Sequence, residues 1–204
     1  RSARDLKTRD GFLVVSLLWV VLSLFSAIPF IMTLYPKLTI TQAIFEAVSG
    51  LTTTGASAMP HLISVPHAIL YYRQQLHFLG GMGIIVLAVA VLPMLGIGGM
   101  QLYRAETPGP VKDAKLTPRI AGTAKALWYI YFGLTVICAL SYWSAGMTMF
   151  DAISHSFSTI AIGGFSTHDA SIGWFESTSI ELICSLFMLI SGINFSLHFV
   201  AVRK

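Results

Sequence analysis

The sequence predicts an all-α integral membrane protein that contains two tandem copies of a helix–short helix–glycine segment–helix unit. Its 204 residues are 55% hydrophobic and only 11% charged, whereas a soluble domain carries about 25% charged residues. Four apolar runs have the length of a membrane span, about 20 residues. A shift of 109 positions also superimposes one half of the chain on the other. Together these observations favour a membrane protein with an internal repeat.

The four long apolar runs define the predicted spanning helices, and we name them M1 and M2 of each unit. A span needs about 20 mostly apolar residues, and the second run carries Arg73 at the end that we expect to face water. The predicted spans are M1 at residues 11–34, M2 at 68–99, the second M1 at 124–146 and the second M2 at 177–202.

The basic residues predict the orientation of these spans. Eleven of the thirteen Lys and Arg residues lie in residues 1–9, residues 104–125 and the final pair Arg203-Lys204. Four spans place all three clusters on one side, which the positive-inside rule assigns to the cytoplasm. Both ends of this chain are therefore predicted to be cytoplasmic. The net charge of +4 then reflects contact with membrane lipid, and no nucleic-acid partner is expected.

Each outer loop contains an apolar stretch that is too short to span. The two stretches, P at residues 39–51 and P at residues 148–161, are about 13 residues each, or roughly 20 Å as helix. Each begins at a threonine, a residue that caps helices well. Re-entrant helices that dip into the membrane and return as extended backbone fit this pattern. Such backbone is tolerated at membrane depth only where protein buries it or it lines a cavity.

The 109-residue shift supports this division of the chain. Between Leu38 and Ser57, six of twenty positions are identical to their partners in the second half, against the one or two that average composition would produce. The predicted organisation is a first M1–P–M2 unit at residues 1–100, a basic cytoplasmic linker at 101–123 and a second unit at 124–204.

The extended segments after the short helices, at residues 52–57 and 162–166, are the predicted selectivity filters. Backbone carbonyls can replace the water shell of a cation without adding a fixed charge that would trap it. The preceding helix directs the negative end of its dipole towards the same place. We expect no catalytic residues and no organic cofactor. The predicted ion ligands are the carbonyls of Thr53, Thr54 and Gly55 in the first filter and of Ile162, Gly163 and Gly164 in the second.

Acidic side chains in the outer half are consistent with a cation. They are expected to concentrate cations at the mouth, although each of them taken singly could equally be an ordinary solvated charge. These residues are Glu46, Asp151, Asp169, Glu176 and Glu181. His155 occupies the position of Glu46 in the second short helix, and either residue could hold its filter in place.

The run from Phe45 to Ser57 resembles the first filter of the Trk/Ktr/HKT superfamily of potassium transporters. Residues 80–84, Gly-Gly-Met-Gly-Ile, and the second filter at residues 160–167 are also similar to that superfamily. The resemblance implies potassium translocation across a bacterial inner membrane through a pseudo-fourfold, potassium-channel-like pore. Gly55 and Gly164 match the central filter glycines, and glycine at the first of them implies potassium rather than sodium. Four units form the family's pore, so we expect more of the protein than these 204 residues, with the remaining pore units outside this chain.

The resemblance also implies partners. A cytosolic RCK-type nucleotide-binding subunit (TrkA-like) gates such pores, and the turn-rich basic loop at residues 107–119 could contact it or could simply face anionic lipid. The family further implies a homodimer. Whether transport is channel-like or coupled to protons or sodium stays open.

Two alternatives to a pore belong to different classes. A non-conducting structural or assembly subunit would explain the helices but not the paired re-entrant segments. An intramembrane serine protease would use a Gly-x-Ser motif, which occurs at Ser57 and Ser166, with a histidine on another helix such as His198. Two equivalent nucleophiles have no mechanistic use, so an enzyme is not expected.

Overall fold

The computed structural model describes the backbone of residues 8–90 and 120–193, and the regular secondary structure in these ranges is helical, with no strand. The predicted linker lies outside the described residues except for its last four positions, which already belong to a helix. The predicted inner ends of both M2 helices also lie outside them. The helices are α1 (Thr8–Ser26), α2 (Ile28–Met32), α3 (Ile40–Leu51), α4 (His67–Ala90), α5 (Ile120–Ser144), α6 (Met149–Ile160) and α7 (Thr178–Gly192), with 3-10 turns at Leu62–Ser64 and Ser171–Phe175.

The first predicted span is not one continuous helix. α1 ends at Ser26 and α2 begins at Ile28, with Pro29 in the first turn of α2. Proline has no N–H to donate to the preceding turn and its ring crowds that turn, so the axis breaks immediately before it. By length and apolar composition alone, two segments within the described residues could cross a membrane, Leu13–Met32 and Ala126–Ser144.

The two short helices, α3 and α6, have 12 residues each and are too short to span a bilayer. Both are capped by the predicted threonines. Thr39 accepts a hydrogen bond from the backbone N–H of Gln42, whose side chain returns to the Thr39 N–H at 2.9 Å. Thr148 accepts from the N–H of Asp151 at 3.1 Å. These caps satisfy free N–H groups at the start of each helix, and they fix where each re-entrant helix begins.

Helix α4 lies at the centre of the described structure. It packs against α3 of its own unit and against both α5 and α6 of the second unit. Small residues make the close approach to α3 possible, since Ala43 and Ala47 are fully buried there and a side chain at Gly50 would stand 2.9 Å from the Leu76 Cβ. The two units are therefore packed together through α4, which places the ends of α3 and α6 near each other.

Gly80 on α4 permits the tightest of these contacts. A Cβ atom there would overlap the backbone carbonyl of Leu51, the last residue of α3. We predict that Gly80→Ala lowers the unfolding free energy of the detergent-solubilised full-length protein by about 1–3 kcal/mol, because backbone must move. Gly83→Ala, one turn further along, would place its Cβ at an ordinary 3.6 Å from Trp19 and serves as the control. Equal melting temperatures for the two variants would contradict this description of the packing.

Candidate functional site

Each re-entrant helix leads into a segment whose N–H groups turn back onto the helix end. In the first unit, Thr53 donates to the Gly50 carbonyl at 3.1 Å and Thr54 donates to the Ser49 carbonyl at 2.9 Å. In the second unit, the same bonds recur 109 positions later, from Ile162 to Thr159 at 3.1 Å and from Gly163 to Ser158 at 2.8 Å. The repeat seen in the sequence is thus also a repeat of backbone hydrogen bonds.

The backbone of the two segments alternates in handedness at matching positions. Thr53 and Ile162 both have φ 53°, while Gly55 and Gly164 have φ 76° and 90°. The residues between them are not in the left-handed region. Non-glycine residues rarely adopt positive φ because the Cβ crowds the following carbonyl, so two such residues at equivalent positions indicate a functional constraint. Alternating handedness also turns successive carbonyls towards one side, whereas in an ordinary strand they point to opposite sides.

The carbonyl oxygens of the six predicted ligand residues have no hydrogen-bond donor among the described residues. The N–H groups of Thr53, Thr54, Ile162 and Gly163 donate to carbonyls at the helix ends. Within residues 8–90 and 120–193, no hydrogen bond is donated to the carbonyls of the six predicted ligand residues. A backbone carbonyl without a protein donor needs another partner, which can be water or an ion. A row of them on one side of each segment suits a partially dehydrated cation.

The two segments lie directly beside each other. A Cβ on Gly55 would overlap the carbonyl oxygen of Gly163, and a Cβ on Gly163 would overlap the ring of His77 from α4. The equivalent flank of Gly164 is open, with no atom of the described residues within 4 Å of where its Cβ would stand. The structure therefore brings the six predicted ligand residues into two adjoining segments, each with a glycine at its contact face.

Behind the first segment, Glu46 of α3 anchors the chain as it leaves. Its Oε1 accepts from the Ser57 hydroxyl at 2.9 Å, and its Oε2 accepts from the Ala58 N–H at 2.8 Å. Arg73 of α4 donates from Nε to Glu46 Oε1 at 2.7 Å. The side chains of this pair are only 1% and 0% exposed. A charge removed from water is tolerated when it is both paired and hydrogen-bonded, and this pair meets both conditions.

Arg73 also reaches beyond its own unit. One terminal nitrogen donates to the Ser57 hydroxyl at 2.9 Å and the other donates to the Ser166 carbonyl at 3.1 Å. Its guanidinium lies 4.2 Å from the ring centre of Phe165, within the range of a cation–π contact. The planar fork of an arginine thus holds the exits of both segments at once.

The second unit anchors its exit without an ion pair at the equivalent place. His155, at the position of Glu46, hydrogen-bonds the Ser166 hydroxyl at 2.9 Å and the Asp151 carbonyl at 2.9 Å. Asp151 in turn accepts from the Thr167 hydroxyl at 2.7 Å and lies 3.2 Å from His168. Glu46 and His155 therefore both hold a filter exit serine, as the sequence allowed.

The Ser166–His155 contact has the distance of a nucleophile and its base, yet it serves the loop. The two residues are 5% and 1% exposed, and the serine hydroxyl also accepts from the His168 N–H at 3.0 Å. Among the described residues, Ser57 has no histidine partner, and its hydroxyl is hydrogen-bonded to Glu46 and Arg73. His198, the histidine considered for a protease, lies outside the described residues.

The prediction that five carboxylates surround the mouth is wrong for two of them. Glu46 is fully buried and Asp151 is 7% exposed; both are occupied by bonds to their own loops, so neither faces permeating ions. Asp169, Glu176 and Glu181 are exposed, and Asp169 accepts from the Leu62 N–H at 2.8 Å, which joins the outer loops of the two units. Arg73 is likewise buried rather than at a wet helix end.

Sequence reasoning missed Arg73 and His77 as neighbours of the filters. The available signal was Arg73 itself, a lone cation within an apolar helix, since an ionisable residue at membrane depth usually has a functional partner. Nothing in the sequence identified that partner as Glu46, 27 residues earlier. His77 had no signal of its own, because it is one of six scattered histidines.

Known proteins match this chain along its whole length. The family TrkH, described as a cation transport protein, matches residues 1–204. The Trk system potassium uptake protein TrkH of Halomonas elongata is 65% identical over 203 residues, which is 100% of this chain and 42% of that protein. The Trk system potassium uptake protein TrkG of Escherichia coli K12 is 50% identical over 204 residues, which is 100% of this chain and 42% of TrkG.

A solved structure agrees with the fold. The crystal structure of the potassium transporter TrkH from Vibrio parahaemolyticus superimposes with a TM-score of 0.81 at 58% sequence identity, covering 98% of this chain and 40% of that one. The chain thus spans about two fifths of the length of these relatives. The fold, the paired filter-like segments and the similarity along the whole of this chain agree. The chain belongs to the TrkH family of cation transport proteins.

Proposed function

We propose that this chain forms two adjoining quarters of a potassium-selective pore in a potassium uptake subunit. Potassium would pass along the carbonyls of Thr53, Thr54 and Gly55 on one side and of Ile162, Gly163 and Gly164 on the other. The observation that carries the proposal is the row of carbonyls without donors in two equivalent segments. The names of the relatives, potassium uptake proteins of the Trk system, support potassium as the cargo.

The chemistry of the segments suits a cation that must leave again. Carbonyl dipoles compensate for lost water ligands. Glu46, the carboxylate behind the first segment, is committed to Arg73 and Ser57 and so adds no free charge that would trap the ion. Ile162, an apolar side chain at the position of Thr53, supports a role for the backbone alone. Two helix C-terminal ends directed at one place add a favourable potential for positive charge.

The open flank of Gly164 supports further pore units beyond the two in this chain. In the first unit, the equivalent flank at Gly55 is filled by the carbonyl of the next segment. If every pair of neighbouring segments packs as Gly55 packs against the Gly163 carbonyl, a third segment would lie against Gly164. The greater length of the relatives leaves room for two such units, and we propose that they complete a fourfold filter.

The proposed setting is the bacterial inner membrane, with both ends of this chain in the cytoplasm and a homodimer as the assembly. A cytosolic RCK-type, TrkA-like subunit would gate the pore from the side of the basic linker. The support is the distribution of basic residues and the naming of relatives as parts of a Trk system.

Uptake of rubidium-86 into liposomes tests the proposal. Full-length protein, reconstituted with potassium inside, is expected to accumulate the tracer, and external potassium should compete far better than sodium. A non-conducting structural subunit predicts tracer levels equal to those of protein-free liposomes. That outcome, with correctly folded protein, would refute the pore.

A further inference from the structure

We infer that Arg73 is a positioning residue that ties the first filter segment to the second and thereby sets ion discrimination. The inference rests on the proposed pore, because it assigns a role in selectivity to a side chain behind the filters. Arg73 donates no hydrogen bond to a predicted ion ligand; it acts through Ser57 and Ser166, the last residue of each segment.

The geometry of the Arg73 guanidinium supports this role. It donates hydrogen bonds to three groups: the Glu46 carboxylate of α3, the Ser57 hydroxyl at the end of the first segment, and the Ser166 carbonyl at the end of the second. The planar group holds these directions rigidly. Of these three hydrogen-bond partners among the described residues, the Ser166 carbonyl belongs to the other unit, 93 residues away, as does the Phe165 ring that faces the guanidinium. Arg73 is therefore a bridge between units as well as an anchor within one.

The second unit lacks the equivalent of the Glu46–Arg73 pair. Residue 182, the equivalent of Arg73, is a leucine that is 66% exposed, and the equivalent of Glu46 is His155. The second unit nonetheless anchors its exit serine, through the His155–Ser166 bond. Anchoring a filter exit thus does not require a buried ion pair. What Arg73 adds, and what His155 does not provide, is the bond across to the neighbouring filter.

The Glu46 carboxylate compensates the charge of Arg73 behind the filters. A buried cation beside the filters would repel permeating cations, but Glu46 lies 2.7 Å from Arg73 and compensates it. Both side chains are almost completely buried, so solvent screens neither of them. The pair can therefore hold two backbone segments together without placing net charge behind the pathway. A lysine would keep the charge but lose the fork that reaches three partners.

The test measures the potassium-to-sodium permeability ratio of full-length protein in liposomes, together with its melting temperature. One variant, Glu46→His with Arg73→Leu, gives the first unit the residues of the second. The other, Arg73→Lys, keeps the charge. Lys37→Leu is the matched control, because it removes an exposed cation from the outer half.

Both variants are expected to remain folded and to conduct cations, while the permeability ratio falls by about tenfold, equivalent to roughly 1.4 kcal/mol of discrimination. Lys37→Leu should leave the ratio unchanged. A folded double variant with the wild-type ratio would overturn the inference. If the double variant does not fold, Arg73→Lys alone tests the inference, and a folded Arg73→Lys protein with the wild-type permeability ratio would overturn it. Absence of potassium flux in the wild type would instead refute the proposed pore, so the two failures are distinct.

Discussion

Gly55→Ala is expected to abolish selective potassium uptake by the full-length protein. Alanine at φ 76° is strained, at a cost of roughly 1–2 kcal/mol. Its Cβ would also overlap the Gly163 carbonyl oxygen. Because that neighbour is backbone, one filter segment must move to admit the methyl group. Rubidium-86 uptake into liposomes, with potassium and sodium as competitors, measures the loss.

Two further variants make the result specific. Gly173→Ala, in the outer loop with open space around it, should transport normally. Gly164→Ala has a strained φ of 90°, but its Cβ meets no atom within 4 Å in the part of the chain that the structure describes. If a third segment fills that flank, this variant should be as defective as Gly55→Ala. Normal selectivity of Gly55→Ala would contradict the filter assignment, and a mild Gly164→Ala phenotype would contradict the proposed neighbour.

Glu46→Ala is expected to be the most destabilising single change in the buried network. It removes the carboxylate from a pair that is almost fully buried and leaves the Arg73 cation uncompensated, which costs about 3–5 kcal/mol. The Ala58 N–H also loses its acceptor. The measurement is the melting temperature of the detergent-solubilised full-length protein, compared with the wild type.

Glu181→Ala provides the matched control, since that carboxylate is exposed on α7 and its loss should change stability by no more than about 0.5 kcal/mol. A double variant, Glu46→Met with Arg73→Leu, should recover much of the lost stability, because an apolar pair carries no desolvation cost. Equal melting temperatures for Glu46→Ala and Glu181→Ala would show that the pair is not the buried network described above.

Local signals in the sequence were sufficient to predict the two short helices and the internal repeat. Thr39 and Thr148 marked the starts of two helices too short to span, and the caps are present in the structure. The shared offset of 109 residues placed Gly55 and Gly164 at equivalent positions, where both have positive φ. The caps depend on residues only a few positions apart, and the equivalence of the glycines depends on a strict repeat. Both kinds of pattern are visible in the sequence without knowledge of the tertiary structure.

Tertiary pairing explains where the sequence was misread. A carboxylate in an outer segment was expected to face water, because nothing near Glu46 in the chain can neutralise it. Its partner lies a helix away on α4, and the pair exists only once α3 and α4 pack together. The equivalence of the two units also concealed a difference, since His155 and Leu182 replace Glu46 and Arg73 without disturbing the backbone repeat.

The most direct measurement of the central claim is anomalous diffraction from crystals of the full-length protein soaked in rubidium. We predict anomalous peaks within coordination distance of the backbone carbonyls at residues 53–55 and 162–164, lying between the two segments. Gly55→Ala crystals should lose these peaks. Rubidium bound only by the exposed carboxylates, or no peak beside these carbonyls in protein that takes up rubidium, would contradict the account.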